Sequence, residues 1–274
     1  MLSNKQIIFI KVICLLSFLP ILCFLGKAYG QEPDLSDLSI PELMELEVVT
    51  ASRKSVKVSD VSAAISVITA DDIRNAGART VPEALRLVPG LQVARIDANK
   101  WAISCRGFNG VFANKLLVLI NGRSVYTPLF SGVFWDSQNI PLNEIDRIEV
   151  IRGPGASLWG SNAVNGIINI ITRSAAETTD EYASIGSGTE NTFIGYMRHG
   201  SSITENLHYR VYGRYFDHDN FVDSLNSETN GAWDMLSAGF RMDWEATNNA
   251  LITFQGDIYH ENLGQMSRII QSAG

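Results

Sequence analysis

The chain has 274 residues, 46% of them hydrophobic and 9% aromatic, and its 22 basic and 29 acidic side chains leave a net charge of −7. That composition supports an ordinary hydrophobic core with a smaller second unit, and it excludes a disordered chain. An acidic balance without basic clusters argues against nucleic acid as a partner.

Residues 1–30 carry Lys5, Lys11 and Lys27 and no acid. A basic start, the apolar run Val12–Leu25 and the small residues of Ala28-Tyr29-Gly30 predict a secretory signal cleaved after Gly30. The apolar run is shorter than the roughly 20 residues a spanning helix needs. Leu22 before Cys23 speaks against a lipoprotein signal. Cleavage would discard Cys14 and Cys23 and leave Cys105, which reads as a small buried hydrophobe rather than a reactive thiol.

Leu35, Leu38, Leu43 and Leu46 suggest an amphipathic helix, with Ser39 as its cap and Pro41 in its first turn. Glu47-Val48-Val49-Thr50-Ala51 is an extended β-former. It suits addition to the sheet edge of another protein, although read alone it is more simply an ordinary first strand. Val58–Thr69 reads as a strand. Asp71-Asp72 then opens a short helix that ends at Gly77. A second helix starts from the Thr80/Glu83 capping box, carries Pro82 in its first turn and stops at Pro89-Gly90. Its apolar face is Ala84, Leu85 and Val88. Strands follow over Leu91–Arg95, Trp101–Arg106 and Leu116–Ile120, and Asn121-Gly122 predicts a tight turn into Arg123–Tyr126.

Ile148–Ile151 and Ile167–Ile171 are β-branched runs on either side of a bend holding Gly153, Gly155, Gly160 and Gly166. A phosphate-binding loop would share those glycines, but Ser161-Asn162 stands where Lys and a hydroxyl residue must follow Gly160. The nucleotide reading therefore fails. No nucleophile–base set or metal-ligand spacing emerges elsewhere, so neither an enzyme nor a metal centre is expected, and no cofactor is implied.

Beyond Thr172 the pattern changes. Leu207, Tyr209, Val211, Gly213 and Tyr215 alternate with His208, Arg210, Tyr212 and Arg214. Leu236, Ala238, Phe240, Met242 and Trp244 alternate with Ser237, Gly239, Arg241 and Asp243; Ala250, Ile252, Phe254, Gly256 and Ile258 alternate with Leu251, Thr253, Gln255 and Asp257. Alternation over about ten residues is the signature of an outer-membrane barrel strand, although a half-buried soluble sheet shows it too. Tyr182–Ser187 and Thr192–Gly200 are weaker strands, which makes five in all. Ser201–Asn206 and Glu245–Asn249 are short connections, whereas Asp217–Ala232 is long, as in a barrel with short turns at one rim. Asp217-His218-Asp219 falls in that loop and reads as solvated rather than metal-binding.

Ile148-Glu149-Val150-Ile151-Arg152-Gly153-Pro154, Leu158-Trp159-Gly160 and Asn165-Gly166-Ile167-Ile168-Asn169-Ile170-Ile171-Thr172 resemble the end of the plug domain of TonB-dependent outer-membrane receptors. The resemblance extends over about Val48–Thr172. It implies an α/β plug domain, a small mixed sheet with short helices, followed by the N-terminal strands of an antiparallel transmembrane β-barrel. The expected segments are 1–30 signal peptide, 31–57 periplasmic segment, 58–174 plug and 175–274 first barrel strands. The family's barrels have about 22 strands, so these five are expected to be part of a barrel and the chain to be a fragment or truncated product.

The resemblance also implies function and site residues. Glu47–Ala51 resembles a TonB box, and Arg106 and Arg152 resemble the plug arginines that relatives pair with glutamates on the inner barrel wall. Asp97, Asn99, Lys100, Trp101, Tyr126 and Phe130 fall in loops that face the incoming ligand at the plug apex; the aromatic members serve equally well as packing. The implied activity is TonB-dependent uptake of a scarce nutrient, an iron-siderophore or similar metal chelate, across the outer membrane. Its partners would be TonB, the chelate and outer-membrane lipid. A barrel-less periplasmic plug that binds ligand or TonB is the alternative.

Overall fold

A computed structural model describes residues 47–48, 56–57, 64–107, 109–155, 159–189, 191–220, 231–247 and 250–264. The expected signal peptide, the helix near Leu35–Leu46, Val49–Ala51, residues 58–63 of the first expected strand and the middle of the 217–232 loop lie outside them.

Two short strands, β1 (Glu47–Val48) and β2 (Val56–Lys57), pair antiparallel. The plug is then built on a five-stranded sheet of β3 (Ala64–Thr69), β6 (Leu116–Ile120), β7 (Arg123–Ser124), β8 (Ile145–Arg152) and β9 (Gly166–Thr172), in the order β3-β8-β9-β6-β7. β9 runs parallel to β6, with Val118 opposite Ile168, and every other pairing is antiparallel. All five residues of β6 are buried, because a strand covered on both faces must be apolar at every position. Its Leu116, Val118 and Ile120 pack on one side with Ile148, Val150, Ile168 and Ile170. Leu117 and Leu119 pack on the other with Ile151, Ala163 and Ile167.

The first face is covered by α1 (Ala70–Asn75), α2 (Val81–Ala84) and the hairpin of β4 (Leu91–Arg95) and β5 (Trp101–Cys105). Thr69 caps α1 in a full capping box: its hydroxyl accepts from the Asp72 amide at 3.1 Å, and the Asp72 carboxylate accepts from the Thr69 amide at 2.8 Å. At α2 the expected box is altered. Thr80 accepts from the Glu83 amide at 3.4 Å, while the Glu83 carboxylate reaches one residue further back, to the Arg79 amide at 2.7 Å. Ala84, Leu85 and Val88 are buried, as is Cys105. Asn121 (φ 49°) and Gly122 (φ 80°) make a two-residue turn between β6 and β7, the geometry for which Asn-Gly is preferred.

Within β8, Arg147 bridges Glu149 at 2.9 Å and Asp146 at 2.6 Å. Burial pulls the Arg147 pKa down, yet the two carboxylates outweigh it and leave the group above its ordinary value. Glu149 itself is fully buried.

The second sheet is an antiparallel meander of β10 (Glu181–Gly186), β11 (Asn191–Thr204), β12 (Leu207–His218), β13 (Trp233–Thr247) and β14 (Ala250–Leu263). It is open at both edges among the described residues. β11 continues to Thr204, past the turn expected at Ser201, because the ladder carries on through Ser201↔Tyr209 and Ser202↔His208. β12 likewise takes in Asp217 and His218, which the sequence had placed in the loop. The alternation follows the expected phase. Val211, Leu236, Phe240, Ile252, Phe254 and Ile258 are exposed on one face, while Arg198, Arg210, Arg214 and Asp243 are buried against the plug on the other.

Candidate functional site

The polar face of the meander forms a wall against which the plug seats, and that face is rich in arginine. Arg198, Arg210, Arg214 and Arg241 come from three neighbouring strands, and Arg210 lies directly opposite Arg241 in the β12–β13 ladder. A buried guanidinium needs acceptors, and the plug supplies several of them.

Glu144 is the centre of this contact. It ends a 3-10 turn, Leu142–Glu144, that leads into β8, and its side chain is 1% exposed. Arg210 Nε lies 2.6 Å from Glu144 Oε2, and Arg198 Nη1 lies 3.5 Å from Oε1. The Tyr196 hydroxyl also donates to Oε1. Arg198 holds Asp180 with its other nitrogen, at 2.5 Å. A carboxylate removed from water is thus surrounded by two cations and one hydroxyl donor, the condition under which buried ionisation is tolerated.

The segment that leaves the plug is clamped just below. Arg210 Nη1 donates to the carbonyls of Arg173 (2.5 Å) and Ser174 (3.3 Å) and to the Thr178 hydroxyl (3.3 Å). Arg241 donates to the Thr172 carbonyl at 3.1 Å and pairs with Asp243 at 2.9 Å. Asp243 in turn accepts from the Ala175 amide at 2.7 Å. Gly200, opposite Arg210 in the ladder, makes room for this turn. A Cβ there would lie 2.8 Å from the Thr178 carbonyl carbon and well inside contact with its oxygen.

Further contacts run beside and beyond this clamp. Arg214 reaches Asn139 Oδ1 at 2.8 Å, Asn121 Nδ2 reaches Gln255 at 2.8 Å, and the Ser137 hydroxyl reaches Glu261 at 3.3 Å. Between plug and wall lies a crevice of about 340 Å³, lined in part by Asn121, Glu144, Arg210, Tyr212, Arg241 and Asp257.

The residues named from sequence are distributed as follows. Glu47 and Val48 sit in β1, paired with Lys57 and Val56; Val49, Thr50 and Ala51 lie outside the described residues. Arg106 is exposed and directs Nη2 to the Arg152 carbonyl at 3.5 Å, while Arg152 Nη1 donates to the Pro89 carbonyl at 2.7 Å. The two arginines are therefore neighbours, and both direct their guanidinium groups to backbone carbonyls. In the 96–100 loop, Asp97 accepts from the Ala98 amide at 2.8 Å. Ala98 packs against Phe216, Trp233 and Met235 of the wall, and Asn99 donates to the Gly264 carbonyl at 3.1 Å. Asn99 and Trp101 are buried at 1% and 6% exposure, which places both away from open solvent. The Trp101 ring is covered by the guanidinium groups of Arg86 and Arg95, so packing is its role in this structure. Lys100 and Tyr126 are half-buried. Phe130 stands edge-to-face between Phe112 and Phe134, in an aromatic cluster at which Phe112 is 66% exposed.

His218 stacks on Trp233 at the end of β12, which accounts for the histidine of Asp217-His218-Asp219 without a metal. Sequence reasoning missed Glu144, Asp180 and Arg198. The available signal was the charge on the wall's polar face: arginines at alternate positions require acids on whatever covers them.

An α/β plug seated on the charged face of outward-apolar antiparallel strands is the architecture of a plugged outer-membrane barrel. Comparison with known proteins agrees. Residues 57–167 match the TonB-dependent Receptor Plug Domain family. The vitamin B12 transporter BtuB of Vibrio cholerae serotype O1 is 36% identical over 145 residues, covering 53% of this chain and 23% of the transporter. BtuB of Photobacterium profundum is 31% identical over 186 residues, covering 68% of this chain and 28% of that protein. In fold, the pyoverdine outer membrane receptor FpvA of Pseudomonas aeruginosa superposes with a TM-score of 0.63 at 18% identity, covering 81% of this chain and 32% of the receptor. The siderophore receptor PirA of Acinetobacter baumannii gives 0.57 at 24% identity, covering 73% and 32%. Residues 57–167 thus carry a TonB-dependent receptor plug domain, and the relatives named are transporters and receptors rather than enzymes. It spans about a quarter of the length of the curated relatives it matches.

Proposed function

We propose that these residues are the plug and first wall strands of a receptor that takes up a metal chelate across the outer membrane with energy supplied through TonB. The supporting observation is the seating of the plug on an arginine-lined wall whose reverse face is apolar. A plug held by polar contacts beside a crevice of about 340 Å³ closes a barrel and can still be displaced. Vitamin B12, named for the BtuB relatives, and iron-siderophores, named for the fold neighbours, are both metal chelates. That class is the substrate reading.

In this reading the short turn at Glu205–Asn206 faces the periplasm, and the strand ends at His218 and Trp233 face outward. Segment 1–30 is the export signal, 31–57 the periplasmic segment, 58–174 the plug and 175–274 wall strands. Glu47–Ala51 is the TonB box, of which Glu47 and Val48, paired with β2 here, would exchange that pairing for a strand of TonB. Arg106 and Arg152 stand ready for carboxylates elsewhere on the barrel wall. Asp97, Asn99, Lys100, Trp101, Tyr126 and Phe130 mark the apex loops, where the exposed aromatic cluster around Phe130 suits a flat, partly apolar ligand.

The test is accumulation of radiolabelled cobalamin and a panel of ferric siderophores by cells whose own receptors are deleted and which express the receptor carrying this chain. Uptake of one chelate that disappears when TonB is deleted is expected. Uptake of none, or uptake indifferent to TonB, would overturn the reading.

A further inference from the structure

The plug arginines singled out by the resemblance turn toward carbonyls of the plug itself. The buried ion pairs across the seam run the other way, with the acid on the plug and the cations on the wall. We propose that Glu144, held by Arg198 and Arg210, is the latch that keeps the plug seated and whose release the plug's displacement requires. This rests on reading the chain as plug and wall of one receptor.

Three features set this contact apart from ordinary packing. Glu144 joins two wall strands at once, since Arg198 lies on β11 and Arg210 on β12. Both arginines also hold the exit segment, Arg198 through Asp180 and Arg210 through Arg173, Ser174 and Thr178. Losing the single carboxylate would therefore leave Arg210 without its acid and Arg198 with Asp180 alone. Finally, Glu144 and Arg210 both line the 340 Å³ crevice.

The crevice makes the latch reversible. A buried ion pair is hard to part while dry, because each charge left alone must do without solvent. Water entering from the crevice would hydrate the carboxylate and both guanidinium groups as they separate. An apolar seam would instead lose its contacts and gain hydrated apolar surface as it opened. The arrangement thus holds firmly when closed and separates at low cost once wetted. Tyr196 contributes a hydroxyl donor that fixes the carboxylate without adding charge.

The experiment reconstitutes the receptor carrying this chain in planar bilayers and measures the fraction of conducting molecules as urea is raised, with heat-modified gel migration confirming barrel assembly. E144Q should raise the conducting fraction at a fixed urea concentration by about tenfold or more, since charge-assisted bonds are lost. E144Q/R210Q should conduct less than E144Q alone, because one unbalanced buried charge is removed. R198K, which keeps the charge but loses the planar fork, should fall between wild type and E144Q. If E144Q fails to assemble, Y196F decides: raised conductance supports the latch and wild-type conductance overturns it. Conductance of E144Q equal to wild type overturns it directly. Chelate uptake is scored on the same preparations, so a receptor that transports while E144Q stays closed sinks the latch alone. One that takes up no chelate while E144Q opens sinks the transport reading alone.

Discussion

Gly200 offers a demanding test of the seam. It faces the plug from β11, directly under the 3-10 turn Ala176–Thr178, and its amide donates to the Asp180 carbonyl at 3.0 Å. In Gly200→Ala the new methyl would lie 2.8 Å from the Thr178 carbonyl carbon and closer still to its oxygen. The obstruction is backbone, so no side chain can rotate away, and the turn must lift from the wall. Overpacking of this kind costs about 1–3 kcal/mol. Lifting the turn also pulls the Ser174 carbonyl and Thr178 hydroxyl from Arg210, each now at 3.3 Å, and a hydrogen bond to a charged group contributes about 1.5–3 kcal/mol. Allowing for partial relaxation, we expect a loss of about 3–5 kcal/mol in seating the exit segment. Limited proteolysis of the folded receptor should show faster cleavage between residues 173 and 180, with the barrel's heat-modified migration unchanged. Gly213→Ala on the same sheet, where the nearest neighbour is a flexible Met197 side chain at 3.8 Å, is the control. Equal protection of that segment in wild type, Gly200→Ala and Gly213→Ala would refute the close-approach argument.

Other perturbations read different parts of the structure. Thr69→Ala removes the hydroxyl half of the α1 capping box and should lower plug stability by about 1 kcal/mol, seen as a shifted urea midpoint. Ile168→Ala, at a fully buried position of the central strand β9, should cost about 2–5 kcal/mol by the same measurement. Val49→Pro should abolish energised uptake and spare ligand binding, because proline cannot donate to an added strand; normal transport by that variant would remove the TonB-box reading.

Local chemistry was legible in the sequence and distant pairing was not. Asp71-Asp72, Asn121-Gly122 and the alternation through Leu207–Tyr215 each specify a helix start, a turn or a face within a few residues, and each was found where it was read, whereas the Thr69 cap was not read. The end of β11 was not, since Ser201 and Ser202 look like turn residues and become strand only because Tyr209 and His208 stand opposite them. The same limit hid Glu144. Its partners lie more than fifty residues along the chain, at Arg198 and Arg210. In the sequence it is an ordinary acid ahead of a strand.

Charge on the wall nevertheless constrains what can cover it. Arg210 and Arg241 stand opposite each other across a single ladder, where like charges repel unless each meets an acid. Glu144 from the plug answers the first and Asp243 from the wall answers the second. The two acids arrive from different bodies, so the wall could not satisfy Arg210 in this way without the plug in place. An empty barrel would leave that guanidinium to water. The charges of the wall thus fit the seated plug, and in the proposed latch its displacement is coupled to wetting of this seam.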